Sequence, residues 1–147
     1  MERIKIDLPT NFTFSTNISI RITDINYGNH LGNDSILSLI HEARMQFLSK
    51  HGYTELSIEN VGLIMADSAI EYKQEVYYGE IISIHVTAAG FDRLGFDLFY
   101  KLTTVRNNQE IIVAKAKTGM MGYDYQQKKK VSIPAIAIEK LTSPVGL

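Results

Sequence analysis

Hydrophobic periodicity in this sequence is helical once and two-residue almost everywhere else. Over 33–50, Ile36, Leu37, Ile40, Ala43, Phe47 and Leu48 recur at three- and four-residue steps, the stripe of a helix that buries one face. Lys50 and His51 followed by Gly52 make a stop signal. A helix of that length rises about 27 Å, enough to cross a sheet. From Leu63 onward the period is two. Ile82, Ile84 and Val86 alternate with Ser83, His85 and Thr87, and Phe96, Leu98, Tyr100 and Leu102 with Asp97, Phe99, Lys101 and Thr103.

Strands are predicted over about 14–23, with Ile18, Ile20 and Ile22 on one side, and over 63–77, 82–87, 96–103 and 111–125. Turns fall at 77–80, 90–95, 106–109 and 126–130. Asn107-Asn108 suits a hairpin because Asn accepts positive φ. Gly119 and Gly122, inside the last strand, mark where a backbone or a ligand comes close. Pro9 interrupts a lead-in over 1–13, and Pro134 opens a short apolar tail over 135–141. One long helix followed by hairpin-linked strands predicts an α+β chain, an antiparallel sheet wrapped around that helix. With no repeat, low-complexity tract or linker, 1–147 reads as a single domain.

Several functions are made improbable by what the chain lacks. Its 147 residues carry a net charge of −1, which gives no field to gather nucleic acid. Without cysteine it has no thiolate nucleophile, disulfide or cysteine zinc site. The four histidines show no H-x-x-x-H spacing, and no P-loop, G-x-G-x-x-G or G-x-S-x-G occurs, so neither metal nor cofactor is expected. No run approaches the ~18 apolar residues of a membrane span, and a cytoplasmic protein without a membrane partner is expected.

The chemistry-bearing residues gather between the first strand and the helix. The loop 24–32 is dense in Asp, Asn, Gly and His, and Asn33, Asp34 or Ser35 can cap the helix behind it. A polar loop at a helix start sets unpaired N–H groups and a positive dipole end beside side chains, an arrangement suited to a carbonyl oxygen or oxyanion. The N–H groups of Leu31, Gly32 and Asn33 are the oxyanion-site candidates, although ordinary capping would use the same groups. Glu42 shares a helix face with Ser35, Leu39, Gln46 and Ser49 at the flank of the apolar stripe. It is a candidate base there, the plain alternative being an exposed or ion-paired side chain. Arg44 lies on the core side and needs a partner, for which Asp24 is the expectation.

The chain resembles the hotdog-fold acyl-CoA thioesterases of the 4-hydroxybenzoyl-CoA thioesterase-like family, over roughly 18–140. In the family's loop, D-x-D-x-x-x-H-[VI]-x-N, Asp24 matches the first Asp, His30 the His and Asn33 the Asn. His41-Glu42-Ala43-Arg44 matches the helical signature. Glu71-Tyr72 through Gly79-Glu80 looks like the "Y…GD" passage, and Asp124, Lys128 and Pro134 like the "D…K…IP" ending. The resemblance implies a hotdog fold and hydrolysis of an acyl-CoA or acyl-carrier thioester to acid and thiol. It also implies a homodimer or homotetramer with sites at the subunit interface. The second Asp of the loop, the catalytic carboxylate in many members, is Asn26 here, and an amide takes no proton at neutral pH. Asn26 and His30 are then expected to position the reactants, with Glu42 or a carboxylate of the partner chain as base. Arg93, Arg106 and the lysines from Lys128 to Lys130 are the candidates for the CoA phosphates. The alternative is an acyl-thioester or lipid-binding protein that has lost hydrolysis along with the Asp.

Overall fold

The computed structural model describes residues 1–145. Six strands, β1 (Phe14–Ser19), β2 (Gly62–Tyr72), β3 (Ile81–Ala89), β4 (Gly95–Arg106), β5 (Gln109–Asp124) and β6 (Lys129–Lys130), form one antiparallel sheet. The order is β1-β3-β4-β5-β2, with β6 beside β5. The long helix α1 (Asn33–Lys50) lies against it, and a short helix, α2 (Ala135–Thr142), follows β6.

Alternation puts Ile82, Ile84 and Val86 of β3 and Phe96, Leu98, Tyr100 and Leu102 of β4 on the covered face, where all are buried. From α1, Ile36, Leu39, Ile40, Ala43, Phe47 and Leu48 enter the same core, and Phe47 meets Phe14 of β1 edge to face. The buried stripe is rotated from the predicted one. Leu39 is inside, while Leu37 faces outward, because β1 closes over the Leu39 side of the helix.

Arg44 is buried, but its partner is not Asp24. Its Nε donates to Glu55 Oε1 at 2.6 Å and its Nη1 to Tyr100 Oη at 3.4 Å, and Tyr100 Oη lies 2.8 Å from Thr118 Oγ1. The reason is local: Asp24 is already taken by Arg21, three residues before it.

Four other expectations shift. The first strand ends at Ser19, and Ile22 is turned outward in a 3-10 turn, Ile22–Asp24. β2 stops at Tyr72, because the N–H groups of Lys73 and Gln74 both turn to Val113 O. The 126–130 turn contains the short strand β6, and the apolar tail is helical. The 106–109 hairpin forms as expected, with Asn107 and Asn108 at φ 53° and 61°. At Gly122 the close neighbour is backbone: a Cβ there would meet Val131 O.

The first dozen residues lie over the sheet. Ile6 N–H donates to Glu71 of β2 at 3.0 Å, and the Phe12 ring packs on His85 of β3 and under Lys101 of β4.

Candidate active site

The site is built where the two edge strands end. Past β1, the Asp24 carboxylate accepts from Arg21 N–H at 2.8 Å and from the Arg21 guanidinium at 3.2 and 3.1 Å. Burial pushes this carboxyl up, but the Arg21 bonds outweigh it and hold it below the usual range. The loop then folds back as Asn26 N–H donates to His30 O at 2.9 Å. Past β2, residues 73–76 turn toward this loop. Leu31 N–H donates to Val76 O at 2.7 Å, and the Tyr72 hydroxyl to Asn33 O at 3.2 Å. An open cleft of about 760 Å³ lies between the two segments at the start of α1.

Asn26 and His30 meet around Gly28. Asn26 Oδ1 accepts from Gly28 N–H at 2.9 Å. That leaves its Nδ2 as a pair of N–H donors for something in the cleft. His30 Nδ1 is 3.2 Å from Leu31 O. With that nitrogen donating, Nε2 holds the free lone pair. A Cβ at position 28 would lie 3.1 Å from His30 Nε2 and 3.2 Å from Asn26 Oδ1. Glycine is therefore what allows the two side chains to approach.

A carboxylate the sequence reading passed over completes the group. Glu75 Oε1 lies 3.7 Å from His30 Nε2. Its Oε2 accepts from the Tyr77 hydroxyl at 3.0 Å, a bond that raises the Tyr77 hydroxyl above its ordinary value. Arg106 fixes this corner. It donates to Glu75 O and pairs with Glu80 at 2.8 and 2.7 Å. The Glu80 carboxyl is held low by that guanidinium. Arg106 is thus committed within the chain rather than offered to a phosphate. Lys73 is the cation that lines the cleft. The signal for Glu75 was the break in alternation at 73–76, which marks a strand running out into a loop.

Other predicted site residues are placed differently. Leu31 N–H is spent on Val76 O and Gly32 N–H on Asp24 O at 3.0 Å, so neither is open to an oxyanion. Among the described residues Asn33 N–H has no partner, while Asp34 N–H donates to Asn33 Oδ1 and Ser35 N–H to Asp34 Oδ1. The cap residue itself is Gly32, with no capping side chain. Gly32 makes room for Asp34, whose Oδ1 would be 2.6 Å from a Cβ there. Glu42 lies more than two helical turns, roughly 13 Å, beyond Asn33. It is exposed, accepts from Gln46 Nε2 at 2.7 Å and lines a separate cleft between α1 and β1. Arg93 and Lys128 sit in the β3–β4 and β5–β6 turns, at the opposite end of the strands from the β4–β5 turn and the end of β2. Antiparallel hairpins alternate ends, so one chain does not bring Arg93 or Lys128 to Asn26.

The model of the thioesterase-like superfamily matches residues 20–141, which include the loop, α1 and all six strands but β1. The chain belongs to that superfamily. No curated protein matches the sequence. Among solved structures, this thioesterase-like chain is similar to a 1,4-dihydroxy-2-naphthoyl-CoA thioesterase from Synechocystis, at 17% identity and TM-score 0.76 over 87% of this chain and 94% of that one. It is similar to the 4-hydroxybenzoyl CoA thioesterase of a Pseudomonas strain, at 12% identity and TM-score 0.77 over 88% and 99%. An Asp-to-Asn mutant of 4-hydroxybenzoyl CoA thioesterase complexed with 4-hydroxybenzoyl CoA aligns at 13% identity and TM-score 0.79 over 88% and 98%. At these identities the likeness establishes the fold: an antiparallel sheet and its helix in the hotdog arrangement.

Proposed function

We propose that this chain hydrolyses an acyl-CoA or acyl-carrier thioester to free acid and thiol. The observation that carries the reading is the Asn26–Gly28–His30 group. It sets two amide donors and an imidazole lone pair side by side in a cleft at a helix start. The thioester carbonyl oxygen would sit against Asn26 Nδ2–H, with Asn33 N–H as the remaining backbone donor. Developing negative charge on that oxygen is met by oriented dipoles that need no reorganisation. Water attacks the carbonyl carbon from the His30 side, and thiolate leaves.

The working unit in this proposal is a cytoplasmic homodimer or homotetramer with the cleft at a subunit boundary. Tyr27, fully exposed on the cleft, and the half-exposed Tyr72 are the apolar surface such a boundary would cover. Glu42, Arg93 and Lys128 can serve this site only from a second copy. Glu42 would then be a second carboxylate, and the two cations would meet CoA phosphates.

A second reading, a thioester binder without turnover, draws on Asn26 itself. A relative with an Asp-to-Asn change was captured with its thioester bound. Thiol release from short, medium, long and aromatic acyl-CoAs by wild type and Asn26→Asp separates the two. Turnover by wild type is the expected result. Silence in wild type with activity gained in Asn26→Asp would make the chain a binder, and silence in both would put the substrate outside this class.

A further inference from the structure

We infer that Glu75 replaces, from a different strand end, the carboxylate that position 26 lacks: it holds and charge-compensates His30, which acts as the general base. The inference rests on the hydrolase reading above and names how that site moves its proton.

Five contacts carry it. His30 Nδ1 is turned to Leu31 O, so Nε2 is the basic nitrogen, and Nε2 faces both Gly28 and Glu75. Glu75 Oε1 is 3.7 Å from Nε2, within ion-pair reach of a charged ring. Its second oxygen is held by Tyr77. Its main chain is held by Arg106, and the next residue by Leu31 N–H. The carboxylate is therefore aimed by contacts on both sides of the cleft although the side chain itself is 61% exposed. Asp34, Lys73, Tyr27 and Tyr72 are the other titratable side chains lining the cleft with His30. Among the described residues none of them contacts Nε2.

The proton balance closes without any other reactant. Water oxygen bonds to the carbonyl carbon while His30 Nε2 takes its proton, and the C=O pair moves onto the oxygen facing Asn26 Nδ2–H. Collapse of that intermediate breaks the C–S bond, and the imidazolium returns the proton to the thiolate. Of the groups that would meet the reacting atoms Glu75 approaches His30 alone, so it is a positioning residue. Its work is to favour the imidazolium in the transition state.

The test uses the full-length chain with its best acyl-CoA substrate. Glu75→Gln is expected to lower kcat on the order of 10- to 100-fold with KM within about twofold. Glu75→Asp should recover part of the rate, and Tyr77→Phe should lose roughly threefold. A folded Glu75→Gln enzyme with normal kcat overturns the pair and leaves the hydrolase reading standing. A wild type silent on every acyl-CoA overturns the hydrolase reading, and this inference falls with it.

Discussion

At the scale of single residues, the site turns on a missing side chain. Gly28 has ordinary negative φ, so its glycine is required by space and not by backbone angle. A methyl at 28 pushes His30 and Asn26 apart by a few tenths of an ångström, which is enough to spoil alignment without unfolding the loop. Gly28→Ala is expected to cut kcat/KM roughly tenfold, about 1.4 kcal/mol of transition-state stabilisation, with a melting temperature close to wild type. A matching loss of melting temperature would show that Gly28 serves folding instead. That Asn26 and His30 belong to one polar loop was legible in the sequence, and the fold places both on one cleft. Which N–H groups stay free was not. That depends on Val76 O and Asp24 O, acceptors supplied by tertiary contact and invisible to spacing. Glu75 was hidden for the same reason, because it reaches His30 from a strand end far away in the chain.

At the scale of elements, α1 is tied to the connector and to the sheet by one buried arginine as well as by its apolar stripe. The Arg44 side chain is 6% exposed, and it joins Glu55, in the connector after the helix, to Tyr100 in the central strand β4. Burial opposes the charge, and Tyr100 and Glu55 together hold the guanidinium firmly protonated. Burial also keeps the Tyr100 hydroxyl neutral. Arg44→Ala leaves Glu55 uncompensated and a gap beside Tyr100. A loss of roughly 3 kcal/mol in urea unfolding is expected, with Arg44→Met losing less because it refills the gap. A loss under about 1 kcal/mol would mean that water already neutralises Glu55. Helix limits came directly from sequence: the apolar spacing and the Lys50-His51-Gly52 stop give Asn33–Lys50. The partner of Arg44 did not, because nothing in a helical pattern says which loop folds over it.

Across the whole molecule, stability should follow two half-buried histidines on the acid side of neutrality. His51 sits against Phe47, and His85 lies under Phe12; the Nε2 of each has no partner among the described residues. Burial holds both below the ordinary 6.5. Lys140 adds to this at His51 and Lys101 at His85, where Glu110 acts against it. The unfolded chain therefore binds protons first, and the stabilisation is complete above about 6.5 and lost as pH falls through the folded values. The urea midpoint should drop between pH 7 and 5.5, and His51→Gln with His85→Gln should flatten that drop. An unchanged slope in the double variant would assign the loss to other groups. The architecture at this scale followed from the sequence because one helical period and a run of two-residue periods leave few ways to bury both. The sheet order did not, since alternation says which face is covered but not which strand lies beside which.

That order has a kinetic side. β3, β4 and β5 each pair with a neighbour in sequence, whereas β1 reaches β3 across α1 and β2, and β2 reaches β5 across β3 and β4. Short loops close before long ones, so the three-strand meander is expected to assemble early and the two edges to arrive late. The loop bearing Asn26 and His30 hangs from β1, and the segment bearing Glu75 hangs from β2. Both walls of the cleft thus belong to the part of the chain that folds last and opens first. Amide hydrogen exchange should find β1 and β2 less protected than β4 and β5, and equal protection would contradict this order. A cleft walled this way can part while the meander beneath it stays closed.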